Sequence, residues 1–399
     1  MRNVSSISIQ GQIAHHVRQG SKLYNEDAAS STTFFGETST SPAYVHSLIL
    51  ADGHGLNGEG QPCAEFCIAE ANLWVQTLLS SDEEWNTMDW SIKLTELTRH
   101  LHDSYRTVLK ERQSGRRIIK NNIVYDRTGY ILDAIHSGST FSMTLTFPIN
   151  GIAENTQFRT VAVQVGDSDI YINNVRLNVD HSVLNPEEWK RIQTFPESNR
   201  GICVFEARGK TLHVYSPDGT YNPKFYDVTN PDSPWRWTDE QGVATGLKPN
   251  CAKYTPGSYL IAHGMKLAST RSIGDYYGHV KGLSCEGDVF VKDTIGCPFI
   301  TIGSDGAFDT IESTDKWVFY RGTTLDVHVT LEQVVEGVEV VEVVEVVEST
   351  KASEASETTK AFVPFSNCVC NRVNTLYDLY CEKFGSRNID DISLACLHP

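Results

Sequence analysis

Residues 48–55 read Leu48-Ile49-Leu50-Ala51-Asp52-Gly53-His54-Gly55, an apolar run that ends abruptly in a carboxylate. The longer run over residues 44–51 predicts a buried β-strand. The two glycines allow the backbone to turn sharply and to approach a neighbouring group closely. We therefore expect Asp52 and His54 to lie at the end of a strand and to point out of a packed sheet.

A similar segment lies far downstream, where residues 299–306 read Phe299-Ile300-Thr301-Ile302-Gly303-Ser304-Asp305-Gly306. Two strands that each end in Asp-Gly can present Asp52 and Asp305 side by side. Neighbouring carboxylates repel each other unless a divalent cation lies between them, and hard oxygen ligands suit Mg²⁺ or Mn²⁺. Because Asp-Gly is also a common turn dipeptide, either segment alone is explained more simply as a turn. The remaining sequence decides between the two interpretations.

Composition narrows the class of protein. The chain has 399 residues, of which 40% are hydrophobic and 21% charged, as expected for a globular protein with a substantial core. Its net charge of −16 argues against nucleic acid and anionic membranes as general partners. The first six residues lack the apolar core of a signal peptide, and no apolar run is long enough to span a membrane.

The ten cysteines indicate the compartment. The close pairs Cys63/Cys67 and Cys368/Cys370 lack the partner pair that a zinc ribbon needs. Most of the cysteines are expected to be reduced core residues. We therefore predict an intracellular protein, located in the cytoplasm, the nucleus or both.

Hydrophobic periodicity predicts the main elements. Three- and four-residue spacing predicts helices over 62–79, 91–112 and 371–384. Two-residue alternation predicts half-buried strands over 141–147 and 161–165, and the second is expected to form a hairpin with residues 170–172. Strands joined by short turns favour antiparallel sheets over β-α-β units.

We expect one domain over residues 1–399, with two irregular regions. Residues 200–257 are rich in Pro, Gly, Asn and Asp, which indicates an insertion with its own short strands. Residues 331–348 repeat Val-Val-Glu and favour a helix with valine along one face, although valine also favours strand. The Ser-, Thr-, Glu- and Lys-rich residues that follow, up to about 360, indicate a mobile loop.

Several motifs together resemble the PP2C family of metal-dependent protein serine/threonine phosphatases, in the family's order and over nearly the whole chain. They are Asn25-Glu26-Asp27-Ala28, Ala51-Asp52-Gly53-His54-Gly55, Ser137-Gly138-Ser139-Thr140 with Gly166-Asp167-Ser168, Arg271-Ser272-Ile273-Gly274-Asp275, Gly303-Ser304-Asp305-Gly306-Ala307-Phe308-Asp309, and Gly385-Ser386-Arg387 with Asp390-Asp391-Ile392-Ser393. Any one motif is weak, but chance does not explain their common order. From the residues alone, Arg271 and Asp275 either pair with each other or lie near a cleft.

The resemblance implies an α+β fold, in which two stacked antiparallel β-sheets form a sandwich flanked by helices, with two Mg²⁺ or Mn²⁺ ions in a channel between the sheets. It also implies a role for each matching residue. Asp52 bridges both ions with the Gly53 carbonyl as a further ligand, Asp305 and Asp390 hold the first ion, Glu26 and Asp27 hold metal-bound waters, and Asp167 and Asp309 are candidates for a weaker third ion.

The implied reaction is hydrolysis of phosphoserine and phosphothreonine in proteins. Two cations activate a bridging hydroxide and neutralise the phosphate, while His54 protonates the leaving alkoxide. Lys22 stands where the family often has a phosphate-gripping Arg, and Lys makes no bidentate fork. Asp169 replaces another usual Arg and adds negative charge. Asp391 replaces a usual Asn, which leaves the assignment of the metal ligand open between Asp390 and Asp391.

Three functions remain open on sequence alone. The first is an active phosphatase that acts on phosphoprotein substrates, as a monomer and without nucleic acid or membrane. The second is a catalytically weak relative that serves as a regulatory binding module. The third is a hydrolase of small phosphate esters. Retention of Asp52, Asp305 and Asp390 favours activity, because a binding module does not need buried charged carboxylates.

Overall fold

The computed structural model describes much of the chain and leaves several segments undescribed. The described residues are 11–21, 23–55, 59–112, 118–120, 123–125, 137–149, 156–173, 175–198, 200–207, 210–213, 237–238, 244–246, 257–262, 265–307, 365–384 and 390–398. The predicted Val-Val-Glu helix and the loop after it lie outside these residues, as do Lys22 and Asp309.

The described elements are helices and mostly short strands. The helices are α1 (Gln61–Leu79), α2 (Trp90–Arg112), α3 (Pro186–Gln193), α4 (Tyr276–His279) and α5 (Phe365–Phe384). The strands are β1 (Gln12–Arg18), β2 (Asp27–Phe35), β3 (Tyr44–Gly55), β4 (Ile118–Lys120), β5 (Ile123–Tyr125), β6 (Ser137–Ser139), β7 (Phe141–Pro148), β8 (Gln157–Val165), β9 (Asp169–Ile172), β10 (Val175–Arg176), β11 (Ile202–Ala207), β12 (Lys210–His213), β13 (Trp237–Thr238), β14 (Ala244–Gly246), β15 (Gly257–Ala262), β16 (Met265–Leu267), β17 (Ile273–Gly274), β18 (Asp288–Ile295), β19 (Ile300–Gly303) and β20 (Ile392–His398).

Two antiparallel sheets form the centre of the fold. One has seven strands in the order β17-β6-β3-β7-β8-β18, with β2 also paired to β3. The other has five strands in the order β1-β20-β19-β9-β10. Strands β3 and β19, which carry the two Asp-Gly segments, therefore belong to different sheets.

Alternation along β3 explains why this strand is apolar on both faces. Leu48 and Leu50 face the five-stranded sheet, where they join an apolar cluster with Ile300 and Ile302. Ile49 faces the opposite way and joins a second cluster with residues of α1 and α2. Because one face is covered by a sheet and the other by helices, the sequence of the strand is a nearly continuous apolar run.

Helix α5 covers the outer face of the five-stranded sheet. Val369 and Val373 are buried there, and the guanidinium of Arg18 on β1 lies 3.6 Å from the ring centre of Tyr377. The layers are therefore helix, sheet, sheet and helix. This arrangement confirms the predicted α+β class with two stacked antiparallel sheets and flanking helices.

The helix predictions are confirmed within a few residues, except that α5 begins six residues earlier than predicted. Two strand predictions are wrong. Strand β7 and residues 161–165 of β8 are fully buried instead of half-buried, because helices cover one face of the sheet and the second sheet covers the other. Strands β8 and β9 do not form a hairpin, because β9 crosses to the other sheet and pairs with β19.

Part of the 200–257 region has strands of its own, as expected. Strands β11 and β12 pair with each other, and β11 also pairs with β15 in a separate four-stranded sheet. A small core joins this sheet to α3 and α4 through Ile192, Leu260 and Tyr277. Trp237 lies in the short strand β13, and Trp235 lies outside the described residues.

The described cysteines are free, and Cys63, Cys67, Cys203 and Cys396 are buried. This agrees with the expectation of reduced core thiols. In the part of the chain that the structure describes, no helix combines the length and the apolar composition that crossing a bilayer requires.

Candidate active site

The Asp52 segment does not turn where the sequence suggested. Strand β3 runs on through Gly55, and the prediction of a sharp turn at Gly53 is wrong. Gly53 pairs with Ser139 on β6, and its N–H donates to the carbonyl of Glu26 at 3.1 Å. A Cβ on Gly53 would lie 2.4 Å from that carbonyl oxygen, so the glycine permits close approach of two backbones.

Strand pairing brings the first two acids together. Asp27 on β2 lies directly opposite Asp52 on β3 in the antiparallel register. The Asp52 N–H donates to Thr140 Oγ1 at 3.1 Å, and its carbonyl accepts from the Thr140 N–H at 2.9 Å. The backbone that carries Asp52 is therefore held from both sides.

The five-stranded sheet supplies the other two acids. Asp305 follows β19 and Asp390 precedes β20. Because these strands are antiparallel, both acids lie where the end of β19 meets the start of β20. The Ser304 N–H donates to the Ser393 carbonyl at 3.1 Å, which joins the two strands beyond their ladder. The Ser393 hydroxyl donates to Asp27 Oδ2 at 2.6 Å and so links the two sheets at the site.

The charges of these four acids act on one another and raise pKa values at the site. Burial raises the pKa of Asp52 well above its usual value, and the charges of Asp27, Asp305 and Asp390 raise it further. Burial and the charges of Asp390 and Asp391 raise the pKa of Asp27 to about 7, although the Ser393 hydroxyl opposes the shift. Asp52, Asp27, Asp305 and Asp390, which we name the carboxylate cluster, thus repel one another. Asp27 is buried, Asp52 and Asp305 are half-buried, and Asp390 is exposed.

Hydrogen bonds distinguish Asp391 from Asp390 in the last motif. Asp391 is buried, and its two carboxylate oxygens accept from the Gly20 N–H at 2.7 Å and the Glu26 N–H at 2.8 Å. Asp391 therefore anchors the backbone of the first acidic motif. Asp390 is the one of the two whose charge acts on Asp52.

Glu26 is buried beside the cluster. Its Oε1 accepts from the Gly60 N–H at 3.0 Å, at the start of α1. A Cβ on Gly60 would lie 2.7 Å from that same oxygen and 2.5 Å from the Gly53 carbonyl carbon. Glu26, Gly53 and Gly60 are thus packed at backbone distance, which fixes the Glu26 carboxyl in place.

His54 is paired with Asp275, a contact that the sequence analysis did not identify. His54 Nε2 lies 2.5 Å from Asp275 Oδ2, and the two side chains are 35% and 0% exposed. The Ser272 hydroxyl donates to the same carboxylate oxygen at 2.8 Å. Burial lowers the pKa of His54, but the Asp275 carboxylate outweighs this effect and the pKa lies above its usual value.

Asp275 has an unusual backbone. Its φ is +43° and its ψ is +45°, a left-handed conformation that non-glycine residues adopt infrequently. Its N–H donates to the Ser137 carbonyl at 3.0 Å, on the strand that also pairs with His54. This geometry turns the carboxylate back towards His54, and such strained positions are common at functional sites.

Gly138 lies directly beneath the His54–Asp275 pair. It is the strand partner of both His54 and Gly274. A Cβ added at Gly138 would lie 2.0 Å from Asp275 Oδ2 and 2.6 Å from His54 Nε2, which no side chain tolerates without displacement of both.

We expect Gly138→Ala to separate His54 from Asp275. Overpacking of this kind costs about 1–3 kcal/mol of stability, and turnover of a phosphopeptide should fall at least about tenfold. Gly296→Ala is a suitable control for turnover, because its Cβ would meet nothing within 4 Å, and its φ of +79° means that this variant also loses some stability. Urea denaturation and steady-state kinetics measure both effects, and equal turnover in the two variants would contradict the assigned contact.

The two acids of the segment Gly166-Asp167-Ser168-Asp169 lie in different surroundings. Asp167 is half-buried, and its charge acts on His54, as does that of Glu26. Asp169 is buried on β9 and accepts hydrogen bonds from Arg176 and from Asn178 Nδ2. Arg176 also pairs with Asp180, so one cation is shared by two carboxylates and the negative charge expected from Asp169 is only partly compensated.

Arg271 does not pair with Asp275. It donates to Glu188 Oε1 at 2.6 Å and to Asp288 Oδ1 at 2.8 Å, while Arg191 donates to Glu188 Oε2 at 2.7 Å. Burial alone would raise the pKa of Glu188, but the hydrogen bonds from Arg271 and Arg191 lower it to about 2. This network ties α3 to the segment that leads to Asp275.

Glu188→Gln should lower the free energy of unfolding by about 2–4 kcal/mol at neutral pH, because it leaves Arg191 without its carboxylate partner and Arg271 with only the half-exposed Asp288. The pKa of Glu188 falls from 4.5 to about 2 on folding, so its contribution is complete above pH 4.5 and is lost as pH falls towards 2. Glu187→Gln, an exposed neighbour, should change stability by less than about 0.5 kcal/mol. Urea denaturation at several pH values measures both, and similar stability of the two variants would contradict the argument.

Sequence reasoning missed two groups in this region. Asp275 belonged to a quoted motif, yet nothing in its spacing indicated a partnership with His54, more than two hundred residues away. Asp391 was considered as a ligand, whereas its contacts are structural. Lys22 and Asp309 lie outside the described residues, so their predicted roles stay predictions.

Comparison with known proteins identifies similar folds. No protein-family model matches the chain, and no curated protein matches it. A sex-determining protein of C. elegans has a TM-score of 0.51 at 14% identity, over 98% of this chain and 65% of that chain. A serine-threonine phosphatase 2C of Toxoplasma gondii has a TM-score of 0.49 at 14% identity, over 97% and 94%. The catalytic domain of the phosphatase PstP, with two manganese ions, has a TM-score of 0.40 at 12% identity, over 97% of each chain. At these identities the similarity concerns the fold alone.

Proposed function

We propose that this chain is a PP2C-type phosphatase that hydrolyses phosphoserine and phosphothreonine in proteins with the help of divalent cations. The observation that carries the proposal is the carboxylate cluster, in which acids from both sheets act on one another beside the His54–Asp275 pair. Acids separated by up to 363 positions in the sequence would repel one another at this site unless something positive lies between them.

The donor set fits Mg²⁺ or Mn²⁺. The charged neighbours that act most strongly on Asp52 are all carboxylates, and hard oxygen ligands are those that these ions prefer. Asp52, Asp305 and Asp390 would hold the ions together with the Gly53 carbonyl, and Glu26 and Asp27 would orient their water ligands. Such ions supply Lewis-acid activation of water and neutralisation of the phosphate charge. Asp167, with Asp309, is proposed for a weaker third ion.

His54 is proposed to protonate the leaving serine or threonine oxygen. Its ring is partly exposed at the end of β3, so a substrate oxygen can reach it, while Asp275 holds Nε2 from the buried side. The negative charge of Asp275 stabilises the protonated ring, which keeps a proton available for transfer. Asp275 acts through His54 and is therefore a positioning residue.

Metal removal tests this proposal. Treatment with EDTA should lower the rate on a phosphothreonine peptide at least about tenfold, and added Mn²⁺ should restore it. A parallel assay with a small phosphate ester separates a phosphoprotein phosphatase from a small-ester hydrolase, because the former should prefer the peptide. A rate that is the same with and without EDTA would contradict the metal mechanism, and no hydrolysis of either substrate would favour a regulatory binding module.

A further inference from the structure

A second group of potential metal ligands shares no residue with the carboxylate cluster. It consists of His102, His279 and Cys285, whose ligand atoms all lie within 4.8 Å of one another. His102 lies on α2, His279 ends α4, and Cys285 precedes β18. Three separate segments thus place nitrogen and sulfur donors around one point, which we name the His-His-Cys group.

His279 presents a nitrogen that lacks a partner. Its Nε2 is buried and forms no hydrogen bond, which is costly for a polar atom unless another partner binds it. Burial lowers the pKa of His279 to about 3, although hydrogen bonds with the backbone of Ser272 and Gly274 oppose the shift. The ring is therefore neutral at ordinary pH, the form in which histidine binds metals.

His102 is held against His279. The two ring centres lie 4.1 Å apart, and the His102 ring also lies 4.7 Å from that of Tyr276. The Tyr276 hydroxyl donates to the His102 carbonyl at 2.7 Å, and the Gly274 N–H donates to His102 Nδ1 at 3.3 Å. The second contact places the ring proton on Nε2 in the metal-free protein, so a cation bound at Nε2 requires the proton to move to Nδ1, and a cation bound at Nδ1 replaces the contact with Gly274. Burial lowers the pKa of His102 as well, so two neutral imidazoles lie against each other with their planes tilted by 44°.

Cys285 completes the group. It is a free, half-buried thiol packed against the helix-covered core. Burial and the charge of Asp103 raise the pKa of the Cys285 thiol to about 11, so the thiol is protonated in the metal-free protein. Metal binding replaces the S–H bond by a bond from sulfur to the cation, and the proton passes to solvent.

We propose that the His-His-Cys group binds a soft divalent cation, Zn²⁺ in particular, at a site separate from the carboxylate cluster. Two imidazoles and one thiolate are typical zinc ligands, whereas Mg²⁺ prefers oxygen. Three protein ligands leave a fourth position for water. Because α4 begins directly after Asp275 and ends at His279, an occupied site would also tie α2 to the segment that positions His54.

Cobalt titration tests the site directly, because a Co²⁺–thiolate bond gives a strong near-ultraviolet absorption band. The full-length, reduced protein is titrated with Co²⁺ in excess Mg²⁺, which occupies sites of oxygen ligands. We expect the band to saturate at one equivalent and to disappear when Zn²⁺ is added. Cys285→Ser should abolish the band, and His279→Gln should weaken Zn²⁺ binding at least about tenfold while the thiol remains.

Matched variants give the controls. Cys297→Ser removes another half-buried free thiol, and His100→Gln removes an exposed histidine from the same helix, so both should leave the band unchanged. Asp52→Asn should also keep the band, which separates this site from the proposed phosphatase function. A wild-type protein without the band, or a band that survives Cys285→Ser, would overturn the proposal.

Discussion

The Asp52→Asn variant is expected to lose about a thousand-fold in the rate of phosphopeptide hydrolysis, equivalent to about 4 kcal/mol of transition-state stabilisation. The amide keeps the size of the side chain but removes the charge that would bridge two cations. Asp52 is also the acid on which the other three members of the cluster converge. Steady-state kinetics with Mn²⁺ in excess measure the effect.

Stability distinguishes this loss from unfolding. Burial and three neighbouring acids raise the pKa of Asp52, so its charge destabilises the metal-free protein at neutral pH. Asp52→Asn should therefore be at least as stable as the wild type without cations, and it should gain less stability when Mn²⁺ is added. Asp293 is an exposed acid on the edge strand β18 and pairs with Arg159 on β8, so Asp293→Asn should leave the rate unchanged. Near-normal hydrolysis by Asp52→Asn would contradict its assigned role.

The His54→Gln variant should distinguish substrates by their leaving groups. A serine or threonine alkoxide needs a proton as it leaves, so loss of the general acid should slow phosphothreonine hydrolysis about a hundred-fold. p-Nitrophenolate is a stable leaving group, and the rate on p-nitrophenyl phosphate should fall by less than roughly threefold. Asp275→Asn should follow the same pattern with a smaller loss, because it acts through His54.

The relevant readout is the ratio of the two kcat values. A control at His100, which lies on the surface of α2 and contacts Glu70, should leave the ratio unchanged. Equal losses on both substrates would contradict the role of His54 as an acid and would indicate a general disturbance of the site.

The sequence predicted the elements well where periodicity was strong. Helices α1 and α2 follow from apolar residues at three- and four-residue spacing, and β3 follows from its continuous apolar run. The apparent hairpin of β8 and β9 shows the limit, because a short link between strands looks the same whether the chain stays in one sheet or crosses to another. Only the packing of the two sheets decides that question.

The residues of the candidate site were likewise predictable only in part. Acids such as Asp52 and Asp305 can be proposed from local patterns, since each follows an apolar run. The partner of His54 cannot, because it depends on the left-handed backbone of Asp275 and on the absence of a side chain at Gly138. The distinction between Asp390 and Asp391 also depends on tertiary hydrogen bonds to Gly20 and Glu26.

The most direct test of the account is a crystal structure of the full chain grown with Mn²⁺, in which anomalous scattering locates the ions. We expect two adjacent peaks bound by Asp52, with Asp305 and Asp390 at a coordination distance of about 2.1 Å from one of them. Peaks elsewhere, or a structure in which these three side chains are too far apart to share a pair of ions, would contradict it.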